Sequence, residues 1–213
     1  GYHPFGCPAD AHQGVDIGPR DGSRNSGRQV SVRDQTYPGA GRVLPGAGAI
    51  VAVGKGSNTP SRLIILEHAG KTGGKPVALV GKALTMDTGG YSLKSGEGIV
   101  TMKYDKSGGM AVIATLVAAA RLGLATPVVG VIAAAENMIS CGAYRPDDIL
   151  KALNGKTIEI ISTDAEGRLV LADALTYTER TFAPRAMIDI ATLTGAVVVA
   201  LGSVRAGILS TDD

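Results

Sequence analysis

The chain has 213 residues, 45% of them hydrophobic, which suits one soluble domain with a sizeable core. Lysine and arginine number 21 against 19 acids, so no strong field points to nucleic acid or a membrane surface. The two cysteines, Cys7 and Cys141, are far apart and lack the Cys/His spacing of structural zinc, which excludes a disulfide scaffold and fits a reducing compartment.

Residues 1–45 hold five of the ten prolines and no sustained period of 2 or 3.6, and are expected to be irregular. Short apolar runs at 49–53, 63–66 and 77–80, each bounded by Gly, Pro or Ser, predict buried strands. A helical pattern covers 108–122, with Gly123 as its stop before Pro127, and 128–134 resumes the strand pattern. Pro146 at a first helical position, Asp147 and Asp148 in the first turn and Gly155 beyond the last predict a short capped helix over 146–154. The β-branched run 157–161 predicts a strand, 167–180 a helix, 186–190 a strand, and 194–201 either a final helix or another buried segment. No apolar run reaches the roughly 18 residues that a membrane helix needs, so no membrane partner is expected. Strands alternating with helices predict an α/β fold, a three-layer sandwich with a mixed, mainly parallel sheet covered by helices on both faces.

Ligands of such sheets bind where the carboxyl ends of strands meet the following loops. Three segments there are rich in charge: 80–94, with Lys82, Asp87, the Gly89-Gly90 turn and Lys94; 102–105, with Asp105; and 162–168, with Asp164, Glu166 and Arg168. At a strand end, residues i and i+2 point to one face, which would set the Asp164 and Glu166 carboxylates side by side. Their repulsion is relieved by a raised pKa or by a cation, and hard divalent ions take oxygen ligands. Asp87 and Asp105 could complete a site for two ions that acidify a shared water, and Gly89 and Gly90 would let the backbone approach closely. On spacing alone, solvated loop charges and turn residues fit these segments as well.

The segments VGKALTMDTGG, YSLK, MKYD, ENM, AYRPDDIL, STDAEGRLVLADALTY and IDIATLTGA, from about Ala47 to Ser210, resemble in order and spacing the signature stretches of the cytosolic leucine aminopeptidases. The core Ser162-Thr163-Asp164-Ala165-Glu166-Gly167-Arg168-Leu169 is close to the family's NTDAEGRL. The resemblance implies that Lys82, Asp87, Asp105, Asp164 and Glu166 hold two divalent ions, zinc, manganese or magnesium. It implies that Lys94 stabilises charge on the carbonyl oxygen, that Arg168 holds a bicarbonate acting as general base, and that Met102, Thr192, Leu193 and Gly195 line the pocket for the first substrate side chain. The implied reaction is hydrolysis of the first peptide bond of substrates with a free N-terminus, leucine or a similar residue leading. A cytoplasmic homo-oligomer, hexameric in the family, is the implied setting. Lysine as a ligand must be neutral, and a nearby dication favours that form.

Thr88, Ser95 and Lys106 replace the family's usual Ser, Pro and Met; none of these is a ligand position. Residues 1–45 lack the resemblance and the chain stops at Asp213, so the expected organisation is an irregular segment 1–45 followed by a catalytic domain 46–213 truncated at its C-terminal end. Two other functions stay open at this point: an impaired or structural family member, opposed by the intact ligand set, and a DNA-binding regulator, opposed by the near-neutral charge. Gly70-Lys71-Thr72 and Gly74-Lys75 lack the spacing of a phosphate loop and predict a hairpin turn. His3, His12 and His68 are expected to be loop histidines, and Cys141 has no basic neighbour that would make it a nucleophile.

Overall fold

The computed structural model describes residues 30–37 and 46–211. In chain order these form β1 (Ser31–Tyr37), α1 (Gly48–Gly54), β2 (Ser61–His68), β3 (Val77–Asp87), α2 (Gly96–Ile99), α3 (Ser107–Leu122), β4 (Val128–Asn137), β5 (Ile149–Lys151), β6 (Thr157–Glu159), α4 (Glu166–Phe182), β7 (Ala186–Ile190) and α5 (Ala196–Leu201). Two 3-10 turns, Met102–Tyr104 and Thr163–Ala165, sit just before α3 and α4.

Five strands form one sheet in the order β1-β2-β4-β3-β7. The β3/β4 and β3/β7 pairs are parallel, whereas β2 runs antiparallel to both of its neighbours. Four strands therefore point one way and β2 alone is reversed, which is the mixed, mainly parallel sheet that the sequence predicts. Side-chain alternation along β3 and β4 divides the core. Val80, Val131 and Ala133 pack with Ile50 and Val53 of α1 and with Leu169 and Val170 of α4. Leu79, Ala83, Val128 and Ile132 pack with Val112 and Leu116 of α3 on the other face. Strands buried on both faces need apolar residues at nearly every position, and the near-continuous run at the start of β3 meets that need. Lys82 has the same parity as Val80 and so points toward α4.

Several elements depart from the sequence expectation. Residues 49–53 lie in α1, not in a strand; a five-residue apolar run has no period that separates the two, and α1 is fixed by tertiary bonds that the Ala49 and Ile50 N–H groups donate to Asp173 Oδ2. No helix forms over 146–154. Asp147 has a left-handed φ of 71°, and β5 pairs with β6 as a small antiparallel hairpin with Gly155 in its turn. Proline before and glycine after a segment mark its ends without saying what lies between, and Leu150 and Ile158 pack against the α1/α4 core as strand residues. Within the stretch read as irregular, Ser31–Tyr37 is an edge strand against β2; the rest of 1–45, apart from Val30, lies outside the described residues, as do His3, His12 and Cys7.

The glycine-rich stretch 70–75 is not a hairpin turn, because β4 lies between β2 and β3. It is anchored instead by Lys71 and Thr72 N–H bonds to the Ala125 carbonyl. His68 is no loop residue: it ends β2, buried, with Nε2 2.8 Å from the Leu124 carbonyl oxygen. The final segment is a helix, but α5 is exposed rather than buried. The expected α3 is present and stops at Gly123, which takes a left-handed φ of 62°. Among the described residues no helix is long and apolar enough to cross a membrane.

Candidate metal centre

The carboxyl end of β3 builds the site. A register shift between Leu84 and Met86 breaks the regular pairing with β4, and beyond the end of the β7 pairing at Gly81 the Leu84 N–H bonds to the Asp105 carbonyl at 3.1 Å. That bond pins the turn preceding α3, so that Asp105 reaches Lys82 on the strand. Asp87 closes β3 opposite Asn137, the last residue of β4.

Lys82 Nζ lies 2.8 Å from Asp105 Oδ2, 2.8 Å from Glu166 Oε1 and 2.8 Å from the Thr192 carbonyl. Thr192 Oγ1 in turn donates to Asp105 Oδ1 at 2.6 Å. Lys94 Nζ forms a second bridge, 2.5 Å from Asp164 Oδ1 and 3.0 Å from Asp87 Oδ2. Burial pulls the Lys82 pKa down, but Glu166 and Asp105 outweigh it and the net shift is upward. Lys94 is raised for the same reason by Asp164 and Asp87. Asp105 and Glu166 are both pushed up by burial, against the pull of Lys82.

The sequence places Asp164 and Glu166 on an extended strand end, and the structure corrects this. Asp164 lies in the 3-10 turn capped by Ser162 Oγ, and Glu166 opens α4. Their proximity comes from the tight turn, with oxygens of Asp87, Asp164 and Glu166 all within 4.8 Å of one another. Tight turns crowd successive side chains more than a regular helix does. Four carboxylates face two ammonium groups here, and Glu166 Oε2 is buried without a hydrogen-bond partner. A buried carboxylate oxygen without a partner is costly, and a hard divalent ion would satisfy both the oxygen and the charge excess. The donor set therefore fits a metal ion.

Gly90 sits at the crossing of the 87–94 and 162–166 segments with φ 63°; a Cβ there would lie 2.9 Å from Thr163 Oγ1 and 3.0 Å from Asn137 Oδ1. Thr163 ties the two segments together, donating through Oγ1 to the Gly89 carbonyl and accepting from Ser92 N–H. The remaining expected residues are placed unevenly. Thr192 belongs to the charge network, and Leu193 Cδ1 lies 2.8 Å from where a Cβ of Gly167 would be, beside Lys82. Met102 is half-buried three residues before Asp105, while Gly195 is exposed at the start of α5. Arg168 is exposed on the first turn of α4 and takes no part in the ion pairs. Cys141 is exposed and unpaired. Asn137, Thr163 and Tyr144, which the sequence reading gives no role, surround the carboxylates; Tyr144 donates to the Thr163 carbonyl at 2.7 Å, and burial together with the carboxylates raises its pKa.

A family model described as the cytosol aminopeptidase family, catalytic domain, matches residues 28–213. A probable cytosol aminopeptidase of Cenarchaeum symbiosum is 54% identical over 169 residues, covering 79% of this chain and 35% of that protein. Its counterpart from Stutzerimonas stutzeri is 56% identical, over 79% of this chain and 34% of that one. Among solved structures, the leucine aminopeptidase of Caenorhabditis elegans superposes with a TM-score of 0.75 at 37% identity, covering 83% of this chain and 35% of that one. The leucyl aminopeptidase of Trypanosoma brucei in complex with bestatin gives 0.76 at 37% identity, over 81% of this chain and 34% of that one. The chain thus spans about a third of the length of the curated relatives it matches. With the same fold, a matched model over residues 28–213 and relatives above 50% identity, it belongs to the cytosol aminopeptidase family.

Proposed function

We propose that this chain carries the metal centre of an aminopeptidase that removes the N-terminal residue, leucine or a similar one, from peptides. The observation that supports this best is the convergence of Asp87, Asp164 and Glu166 within 4.8 Å, with a buried oxygen of Glu166 left unpartnered. Lys82, Asp87, Asp105, Asp164 and Glu166 would hold two divalent ions, zinc, manganese or magnesium. Ions bound there supply Lewis acidity toward a peptide carbonyl and acidify water.

The chain's own groups divide the remaining work. The part-exposed Lys94 ammonium sits at the rim between Asp87 and Asp164, where it would stabilise charge developing on the substrate's carbonyl oxygen. The carboxylates offer charge partners for a free α-amine, which favours chain ends over internal peptide bonds. Thr192 and Leu193, with Met102 and Gly195 further out, would form one wall for the first side chain, and Arg168 would hold a bicarbonate as general base. A cytoplasmic hexamer is the assembly in which we place it.

Equilibrium dialysis of the chain against Mn²⁺ or Zn²⁺ should give two ions per chain, and Glu166→Gln should lower that number while circular dichroism stays unchanged. Equal uptake by both proteins would overturn the ligand assignment. For the reaction itself, residues 46–211 grafted in place of the matching third of an active relative should hydrolyse leucine p-nitroanilide; a folded, metal-loaded graft without such activity would overturn it.

A further inference from the structure

Asn137 ends β4 beside Asp87 and is fully buried. Its Nδ2 donates to Asp87 Oδ1 at 2.9 Å and to the Thr163 carbonyl at 3.0 Å. A carboxylate and a carbonyl can only accept, so the amide orientation is fixed, and Asn137 Oδ1 is left buried without a donor. An unpaired buried amide oxygen is unfavourable, so packing alone is a poor reason for asparagine at this position.

What the amide acts on is the Asp87 carboxylate. Oδ1 of Asp87 accepts from the Gly89 N–H at 2.9 Å as well as from Asn137, while Oδ2 is turned to Lys94 at 3.0 Å. One oxygen is thereby occupied by two neutral donors, one in the loop after β3 and one at the end of β4, and the plane of the carboxylate is set by them. We propose that Asn137 is a positioning residue, which fixes Asp87 so that Oδ2, and not Oδ1, is presented to a bound cation. The inference rests on the metal reading given above and names a residue outside the ligand set.

The competing role is a structural tie between β4 and the Thr163 turn, and the structure supplies a control for it. The Thr163 carbonyl also accepts from Tyr144 Oη at 2.7 Å, so Tyr144→Phe removes a bond to the same carbonyl and leaves both donors to Asp87 in place. Asn137→Ala and Asn137→Leu, which keeps the branched shape in a larger side chain, remove the donor to Asp87; the leucine also removes the unpaired oxygen. The chain and its variants would be titrated calorimetrically with Mn²⁺ and with Zn²⁺ alone, with thermal melts of each metal-free protein and absorption spectra of the Co²⁺-loaded forms.

Both Asn137 variants should bind metal about 10- to 100-fold more weakly, the range typical of losing a group that orients a ligand, and should shift the Co²⁺ ligand-field bands. Tyr144→Phe should bind within about twofold of the unaltered chain even where its melting temperature falls. Unchanged affinity in the folded Asn137→Leu protein overturns the inference, as does equal weakening by Tyr144→Phe. If the unaltered chain takes up neither ion, the metal reading itself fails and this inference falls with it, a result distinct from the other two.

Discussion

Lys82 and Glu166 meet at 2.8 Å between β3 and α4, each side chain only 3% exposed. A buried ion pair persists only where further bonds hold both partners, and here Asp105 and the Thr192 carbonyl complete the shell around the ammonium. The lysine reaches this position because residue 167 has no side chain.

Gly167→Ala tests that dependence. A Cβ there would lie 2.7 Å from Lys82 Nζ and Cε and 2.8 Å from Leu193 Cδ1. Leu193 is exposed and can swing away, but Lys82 cannot move without stretching three contacts. The expected outcome is a modest stability loss, about 1–3 kcal/mol as for overpacking elsewhere, together with clearly weaker Mn²⁺ uptake. Urea melts and dialysis on the same protein check it; unchanged uptake would show that the lysine does not depend on the glycine.

The two lysines should behave differently on removal. Lys82 joins Asp105 to Glu166 deep in the fold, whereas the Lys94 side chain is 19% exposed at the rim. In the graft described above, Lys82→Ala should lower metal content. Lys94→Ala should leave metal in place and reduce turnover by roughly 2.7–4 kcal/mol, the range for losing an oxyanion-stabilising group. Metal analysis beside kcat separates them, and an equal loss of metal in both variants counts against the division.

Much of the centre is legible in the sequence because its charged residues sit in three short blocks that resemble a family's signature stretches in order and spacing; spacing alone fits solvated loop charges as well. Asp87 lies between an apolar strand run and the Gly89-Gly90 turn, and Asp105 lies in the turn just before the helix start of α3. What is not legible is the geometry that joins the blocks. Asp164 and Glu166 converge through a 3-10 turn, whose dipeptide spacing is the same as that of a strand end. Asn137 reads as an ordinary residue after an apolar strand, since its role exists only through the parallel register that sets it against Asp87. The hairpin of β5 and β6 and the edge strand β1 are missed for a related reason: short or polar strands draw their stability from neighbours rather than from their own pattern.

One surface should limit the behaviour of the chain in solution. Along β7 and the segment after it, Met187, Ile188, Val199, Val204, Ile208 and Leu209 are exposed, from 37% for Met187 to 101% for Leu209. Large exposed apolar side chains favour association, and among the described residues β7 pairs on one side only. Light scattering should show self-association that rises with concentration, reduced by Ile188→Lys and Val199→Lys with no change in metal uptake. A monodisperse protein at all concentrations would contradict this.

Asp173 is the last test, and it concerns the frame rather than the centre. This buried carboxylate accepts from Ala49 and Ile50 N–H at 2.9 and 3.0 Å through Oδ2 and from Leu153 N–H at 2.7 Å through Oδ1. It therefore ties α4 to the start of α1 and to the turn between β5 and β6, elements that hold one wall of the core. Asn at this position must turn its amide nitrogen toward one of those donors, so Asp173→Asn should cost about 1–3 kcal/mol, the penalty of an unsatisfied buried group, seen as a lower urea midpoint. Burial raises the Asp173 pKa against the opposing effect of the three N–H groups, and this sets the pH dependence. With the folded value above the unfolded one, near 3.9, the folded chain binds the proton more tightly. The stability this group contributes is complete below about pH 4 and is lost as pH rises through the higher folded value. The difference in unfolding free energy between the unaltered chain and Asp173→Asn should therefore be largest in acid and shrink as pH rises. A difference that grows with pH would mean that the three donors outweigh burial and hold the carboxylate ionised.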